Sequence, residues 1–150
     1  MTATVEHDQV YAIAEEVFAA MIDGEPGHLL PWDGEVPVPA DPLVAWVDVH
    51  GEITGRAAVS TDTPTAHELT RALLGMGPDE AVGPEDLVDA FGEVANVVGG
   101  NVKSLLPSQG TLTLPQVASA LPAVPDTAIG HELRLDWHGR AIVVVVWLFP

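Results

Sequence analysis

Apolar residues recur at three- and four-residue intervals from the start of the chain. Val10, Ile13, Ala14, Val17, Phe18 and Met21 share one stripe, with Glu15, Glu16 and Asp23 off it. That spacing predicts a helix over residues 7–23, stopped by Gly24. Residues 24–42 hold five prolines and three glycines. A structureless loop of that length is unusual in a small domain, so residues 35–38 are expected to join an edge strand, where proline is tolerated. Two arms, Leu43–His50 and Gly55–Thr61, flank Gly51-Glu52-Ile53-Thr54 and read as a hairpin. The first arm alternates Leu43, Ala45, Val47 and Val49 with Val44, Trp46, Asp48 and His50, so its second face is also partly apolar and suits a strand covered on both sides.

Thr63-Pro64 predicts a second helix over roughly 64–76, with Thr63 as N-cap and proline at the first position. Gly75 or Gly77 ends it. A long third helix, residues 84–106, is entered through Gly83-Pro84 and closed by Pro107. Gly110–Leu114 reads as a short strand, and residues 117–127 as a loop rich in proline and alanine. The chain finishes with a hairpin, Ile129–Trp137 and Arg140–Phe149, turning at His138-Gly139. Its last strand has no polar face, which suits either a central strand covered on both sides or an edge buried against a second subunit. The elements predict one α/β (α+β) domain over residues 1–150, a mainly antiparallel sheet with helices packed on it.

The third helix separates into two faces at about 100° per residue. Leu87, Phe91, Val94, Val98, Val102 and Leu105 form a stripe roughly 80° wide, and Asp89, Glu93, Asn96 and Gly100 lie opposite. Asparagine in mid-helix is less favourable than alanine by about half a kcal/mol, and each of Gly99 and Gly100 by roughly 1 kcal/mol. Such glycines have a reason: close approach of another surface, close internal packing, or a kink. Spacing alone does not choose among these or name a chemistry.

Composition narrows the field. The chain has 150 residues, 47% of them hydrophobic, and a formal net charge of −17, so it can bury a core and is not a disordered tail. Lys103, Arg56, Arg71, Arg134 and Arg140 are the only lysine and arginines, and they form no basic patch in sequence. Nucleic acid and anionic membrane surfaces are therefore poor partners. Absent cysteine excludes disulfides, thiol catalysis and cysteine-type zinc sites. No basic segment followed by an apolar core marks a secretion signal, and the apolar run Ala141–Phe149 is too short to span a bilayer as a helix. A soluble cytoplasmic protein is the expectation. His7, His28, His50, His67, His131 and His138 show no metal-ligand spacing, so no metal site is expected. The serines lie in no nucleophile-elbow context, and Gly99-Gly100 is not a phosphate loop.

The run Glu85-Asp86-Leu87-Val88-Asp89-Ala90-Phe91-Gly92-Glu93-Val94-Ala95-Asn96-Val97-Val98-Gly99-Gly100 resembles the signature helix of the CheC/CheX/FliY chemotaxis phosphatases. That signature has Asp or Ser, three residues, Glu, two residues, Asn. The order of elements around it is similar to CheX, and the single signature helix favours CheX over CheC. The resemblance implies a hydrolase that dephosphorylates the aspartyl phosphate of a CheY-like response regulator in chemotaxis or other two-component signalling. The implied Mg²⁺ is held by that partner, with no cofactor bound by this chain. Asn96 would orient the attacking water, Glu93 would pair with the regulator's active-site lysine, and Asp89 would support docking or helix orientation. Gly100 would let the partner approach. A homodimer formed partly through the sheet is also implied. The alternative is a non-catalytic module that docks on a regulator or a flagellar or chemotaxis component. Two positions bear on the match: Asn101 stands where members often have lysine, and Pro115 answers to the family's downstream proline.

Overall fold

The computed structural model describes residues 5–106 and 110–149; Pro107, expected to close the third helix, and Ser108 lie outside them. In chain order the elements are α1 (His7–Val17), β1 (Leu29–Pro31), β2 (Pro42–His50), β3 (Thr54–Asp62), α2 (Thr63–Leu74), α3 (Pro84–Lys103), β4 (Thr111–Leu112), β5 (Gln116–Ala118), β6 (Ile129–Trp137) and β7 (Arg140–Phe149). One antiparallel sheet runs β1-β6-β7-β3-β2-β4, with β5 also paired to β2. The expected mixed α and β architecture, an antiparallel sheet carrying helices, is the architecture observed.

Alternation decides which face of the sheet is covered, because successive side chains point to opposite sides. Ala45, Val47, Ala57, Val59, Leu135, Ile142, Val144 and Val146 face the helices in the main core. Onto them pack Val10, Ala14 and Val17 of α1 and Phe91, Val94, Val98 and Val102 of α3. A smaller cluster on the other face, Val44, Trp46 and Ala58, lies under Ala118, Leu121 and Trp147. The second apolar face of β2 is thus covered by the chain's own return segment, and Arg56 Nε donates to Asp48 Oδ1 at 2.6 Å beside it. β7 is central, between β6 and β3, which settles the apolar last strand.

Several boundaries differ from the sequence expectation. The first helix keeps α geometry only to Val17 and continues as a π-turn over Phe18–Asp23, ending at Gly24 with φ 75°. A turn bonded i to i+5 holds more residues than an α turn, so the buried position moves from Met21 to Ile22. Residues 35–38 form no strand; the edge strand is Leu29–Pro31, whose place is set by pairing with residues 135–137 of β6. Asp62, not Thr63, caps α2, its Oδ1 accepting from the Thr65 N–H at 2.7 Å. The Thr63 hydroxyl instead donates to the Asp41 carbonyl. Strand pairing after α3 splits into β4 and β5, the latter overlapping the start of the segment read as loop.

Candidate functional site

α3 starts at Pro84, follows the Gly83 cap and carries Glu85 and Asp86 in its first turn, where negative charge complements the helix dipole. It lies on β2 and β3 and touches both α1 and α2. The expected stripe is the buried one: Phe91, Val94, Val98 and Val102 are all within 3% of full burial, and Leu87 and Leu105 pack at its margins. Opposite them Asp89 and Glu93 are exposed, and Asn96 and Gly100 are half-buried. The core grip on one face therefore fixes the other face in space.

Polar side chains at the end of α3 are spent within the helix, Asn101 Nδ2 donating to the Val97 carbonyl at 2.8 Å and Ser104 Oγ to Gly100 at 3.1 Å. Asp89, Glu93 and Asn96 make no side-chain hydrogen bond or ion pair among the described residues, and no buried side-chain polar atom goes unpartnered. Their carboxylates and amide thus face solvent. At 1.5 Å rise per residue, Glu93 and Asn96 stand about 4.5 Å apart along the axis. Asp89 and Glu93 form a same-charge i, i+4 pair, which costs a helix roughly 0.2–0.5 kcal/mol. A row held at that cost presents acceptors to a cation from outside and an amide that can both donate and accept.

The glycines divide by role. A Cβ on Gly99 would collide with Cγ2 of Val47, so this glycine is internal packing against β2. A Cβ on Gly100 would meet only Leu112 Cδ1 at 3.8 Å, which is ordinary contact. Gly92 seats Pro115, whose Cβ would lie 3.3 Å from an added Cβ there. Residues 112–115 therefore run beside α3 from Gly100 to Gly92, and Leu114 stands on that strip 85% exposed. Sequence reasoning missed Leu114. Its signal is a large apolar residue beside Pro115 that no strand alternation requires.

A profile of the chemotaxis phosphatase CheX family matches residues 43–124, a span that includes all of α3. The chain belongs to the CheX family. A search of curated proteins finds no match. Among solved structures, the chemotaxis protein CheX from Vibrio vulnificus superposes with a TM-score of 0.73 at 18% identity, covering 99% of this chain and 100% of that one. CheX from Borrelia burgdorferi, in a complex with CheY, BeF3 and Mg²⁺, gives 0.77 at 15% identity over 98% and 100%. A CheC-like superfamily protein from Shewanella sp. PV-4 gives 0.73 at 16% over 95% and 96%. These likenesses show that the fold is CheC/CheX-like. Membership links the chain to phosphatase-like action in chemotaxis signalling.

No described helix is long and apolar enough to cross a membrane. One grouping was invisible to residue spacing: Asp23, His28 and His138 place ligand-type atoms within 4.8 Å of one another. The hydrogen bond that His28 donates to the Glu25 carboxylate raises the His28 pKa above its ordinary value, against a smaller opposing effect of desolvation.

Proposed function

We propose that this chain is a cytoplasmic phosphatase that dephosphorylates the aspartyl phosphate of a CheY-like response regulator. The carrying observation is the pair Glu93 and Asn96, one turn apart on a core-anchored helix, with no intramolecular partner among the described residues to surrender on docking. Glu93 pairs with a lysine of the regulator, a charge-assisted contact that sets the angle of approach. Asn96 then enters beside the phosphoryl group and holds a water in line with the scissile bond. The water oxygen forms the new bond to phosphorus while the bond to the aspartyl oxygen breaks. A carboxylate leaves readily without protonation at neutral pH, its ordinary pKa being about 3.9, so no general acid is required of this chain. What remains is positioning and charge stabilisation, the two needs of phosphoryl transfer. The amide supplies the first, and a Mg²⁺ held by the regulator supplies much of the second. Asp89 supports docking at the near end, and Gly100 leaves room at the far end.

The test is release of phosphate from a phosphorylated regulator. Asn96→Ala should lower the turnover rate by about 100-fold, the scale of a misplaced reactant, with binding kept. Glu93→Ala should weaken binding first. Wild type that fails to accelerate hydrolysis of several regulators would leave the non-catalytic docking module as the reading. Full rate in Asn96→Ala would refute the assigned mechanism.

A further inference from the structure

Away from α3, Asp23, His28 and His138 converge from three separate segments: the end of the π-turn, the approach to β1, and the β6–β7 turn. The ligand-type atoms of all three lie within 4.8 Å of one another, and the two imidazole centroids are 4.8 Å apart. The Asp23 carboxylate is only 8% exposed. Trp137 Nε1 donates to both its oxygens, at 3.1 and 3.2 Å, and His138 Nε2 lies 3.0 Å from Oδ1. A carboxylate held this way cannot swing to solvent.

His28 is held in a manner suited to a ligand. His28 Nε2 lies 2.7 Å from Glu25 Oε1. A ring that donates one N–H to a carboxylate offers its other nitrogen as a metal donor, the common support of a ligating histidine. His138 has φ 52° and is the only described non-glycine residue with positive φ. The first position of such a two-residue hairpin turn ordinarily takes asparagine, aspartate or glycine. Histidine is itself among the residue types enriched in that region, and the turn brings its ring to Asp23.

We propose that Asp23, His28 and His138 bind one borderline divalent cation of the Zn²⁺ class. Two imidazoles and one carboxylate form a donor set suited to that class, whereas Mg²⁺ and Ca²⁺ prefer all-oxygen shells. Ligand atoms around tetrahedral zinc stand about 3.3 Å apart, so the site closes by rotation of the partly exposed rings while the buried carboxylate stays fixed. Asp23 and His138 also line a cleft together with Arg71, Trp137 and Arg140. The bound ion would tie the end of the first helix to the β6–β7 turn.

The experiment is calorimetric titration of the intact chain with ZnCl₂ in excess MgCl₂, which suppresses loose binding to the acidic surface, alongside thermal unfolding with and without zinc. Wild type should take up one equivalent and show a raised unfolding midpoint. His28→Ala and His138→Asn should each weaken binding at least about tenfold and abolish the midpoint rise. Asparagine suits the left-handed turn position, so His138→Asn should keep the metal-free midpoint, which separates ligand loss from fold loss. Absence of saturable one-equivalent binding by wild type would overturn the proposal, as would binding by both variants equal to that of wild type.

Discussion

Gly99 and Gly100 are neighbours in sequence, yet alanine should act on them in opposite directions. At Gly99 the new methyl falls on Val47 Cγ2, with Val47 Cβ itself 3.6 Å away. Val47 is fully buried in β2, so it has no empty space to rotate into. Overpacking of that kind costs roughly 1–3 kcal/mol, and the better helix propensity of alanine returns up to about 1 kcal/mol. The net expectation is a loss of about 1 kcal/mol. At Gly100 the methyl meets Leu112 Cδ1 at 3.8 Å, so the propensity gain of about 0.5–1 kcal/mol is kept. Urea unfolding of both variants beside wild type measures the difference, expected near 2 kcal/mol. At this chain length each kcal/mol shifts Tm by roughly 2–4 °C. Phosphatase assays add the second half: Gly100→Ala should be the more stable variant and the slower one, because the partner needs the gap. A Gly99→Ala protein as stable as Gly100→Ala would refute the packing argument. A Gly100→Ala protein of unchanged activity would refute the close approach.

Three further outcomes are expected. Asp62→Ala removes the α2 cap and should cost about 1 kcal/mol in chemical unfolding, while Thr63→Ala leaves that cap in place. Leu114→Asp should change stability by less than about 0.5 kcal/mol and weaken binding of a phosphorylated regulator, read by titration; unaltered affinity would remove Leu114 from the docking strip. The homodimer expected from the sequence would use an open backbone edge of β6, since among the described residues β1 pairs with residues 135–137 of it alone. The Glu132 carbonyl points outward to His7 and its N–H shares that side, so Glu132→Pro spares the β6–β7 ladder. Sedimentation should then show dimers for wild type at micromolar concentration and monomers for the variant.

The long, strongly periodic elements were legible in the sequence. α3 had an unbroken buried stripe, and the two hairpins had alternation plus turn residues, so the core-facing and outward sets of α3 could be named residue by residue. Features set by tertiary partners were not legible. A three-residue strand such as β1 has no period of its own, and its place depends on β6. Asp62 and Thr63 are adjacent residues of equal capping chemistry, and only the Asp41 carbonyl, which occupies the Thr63 hydroxyl, decides between them. The glycine pair left internal packing and external approach both open, and the geometry assigns Gly99 to the first. Asp23 and His138 lie 115 positions apart, beyond any ligand-spacing rule.

The π-turn over Phe18–Asp23 has a consequence for how the chain could tolerate length changes. Its wider turn carries one residue more than an α-helical path would use. Deleting Ala19 or Ala20 would let the segment relax to ordinary α geometry while Val10, Ala14 and Val17 stay in place. Asp23 would then keep its azimuth and its bonds from Trp137. A single codon lost there is therefore a mild lesion, whereas one lost within His7–Val17 would turn Asp23 by about 100° away from Trp137.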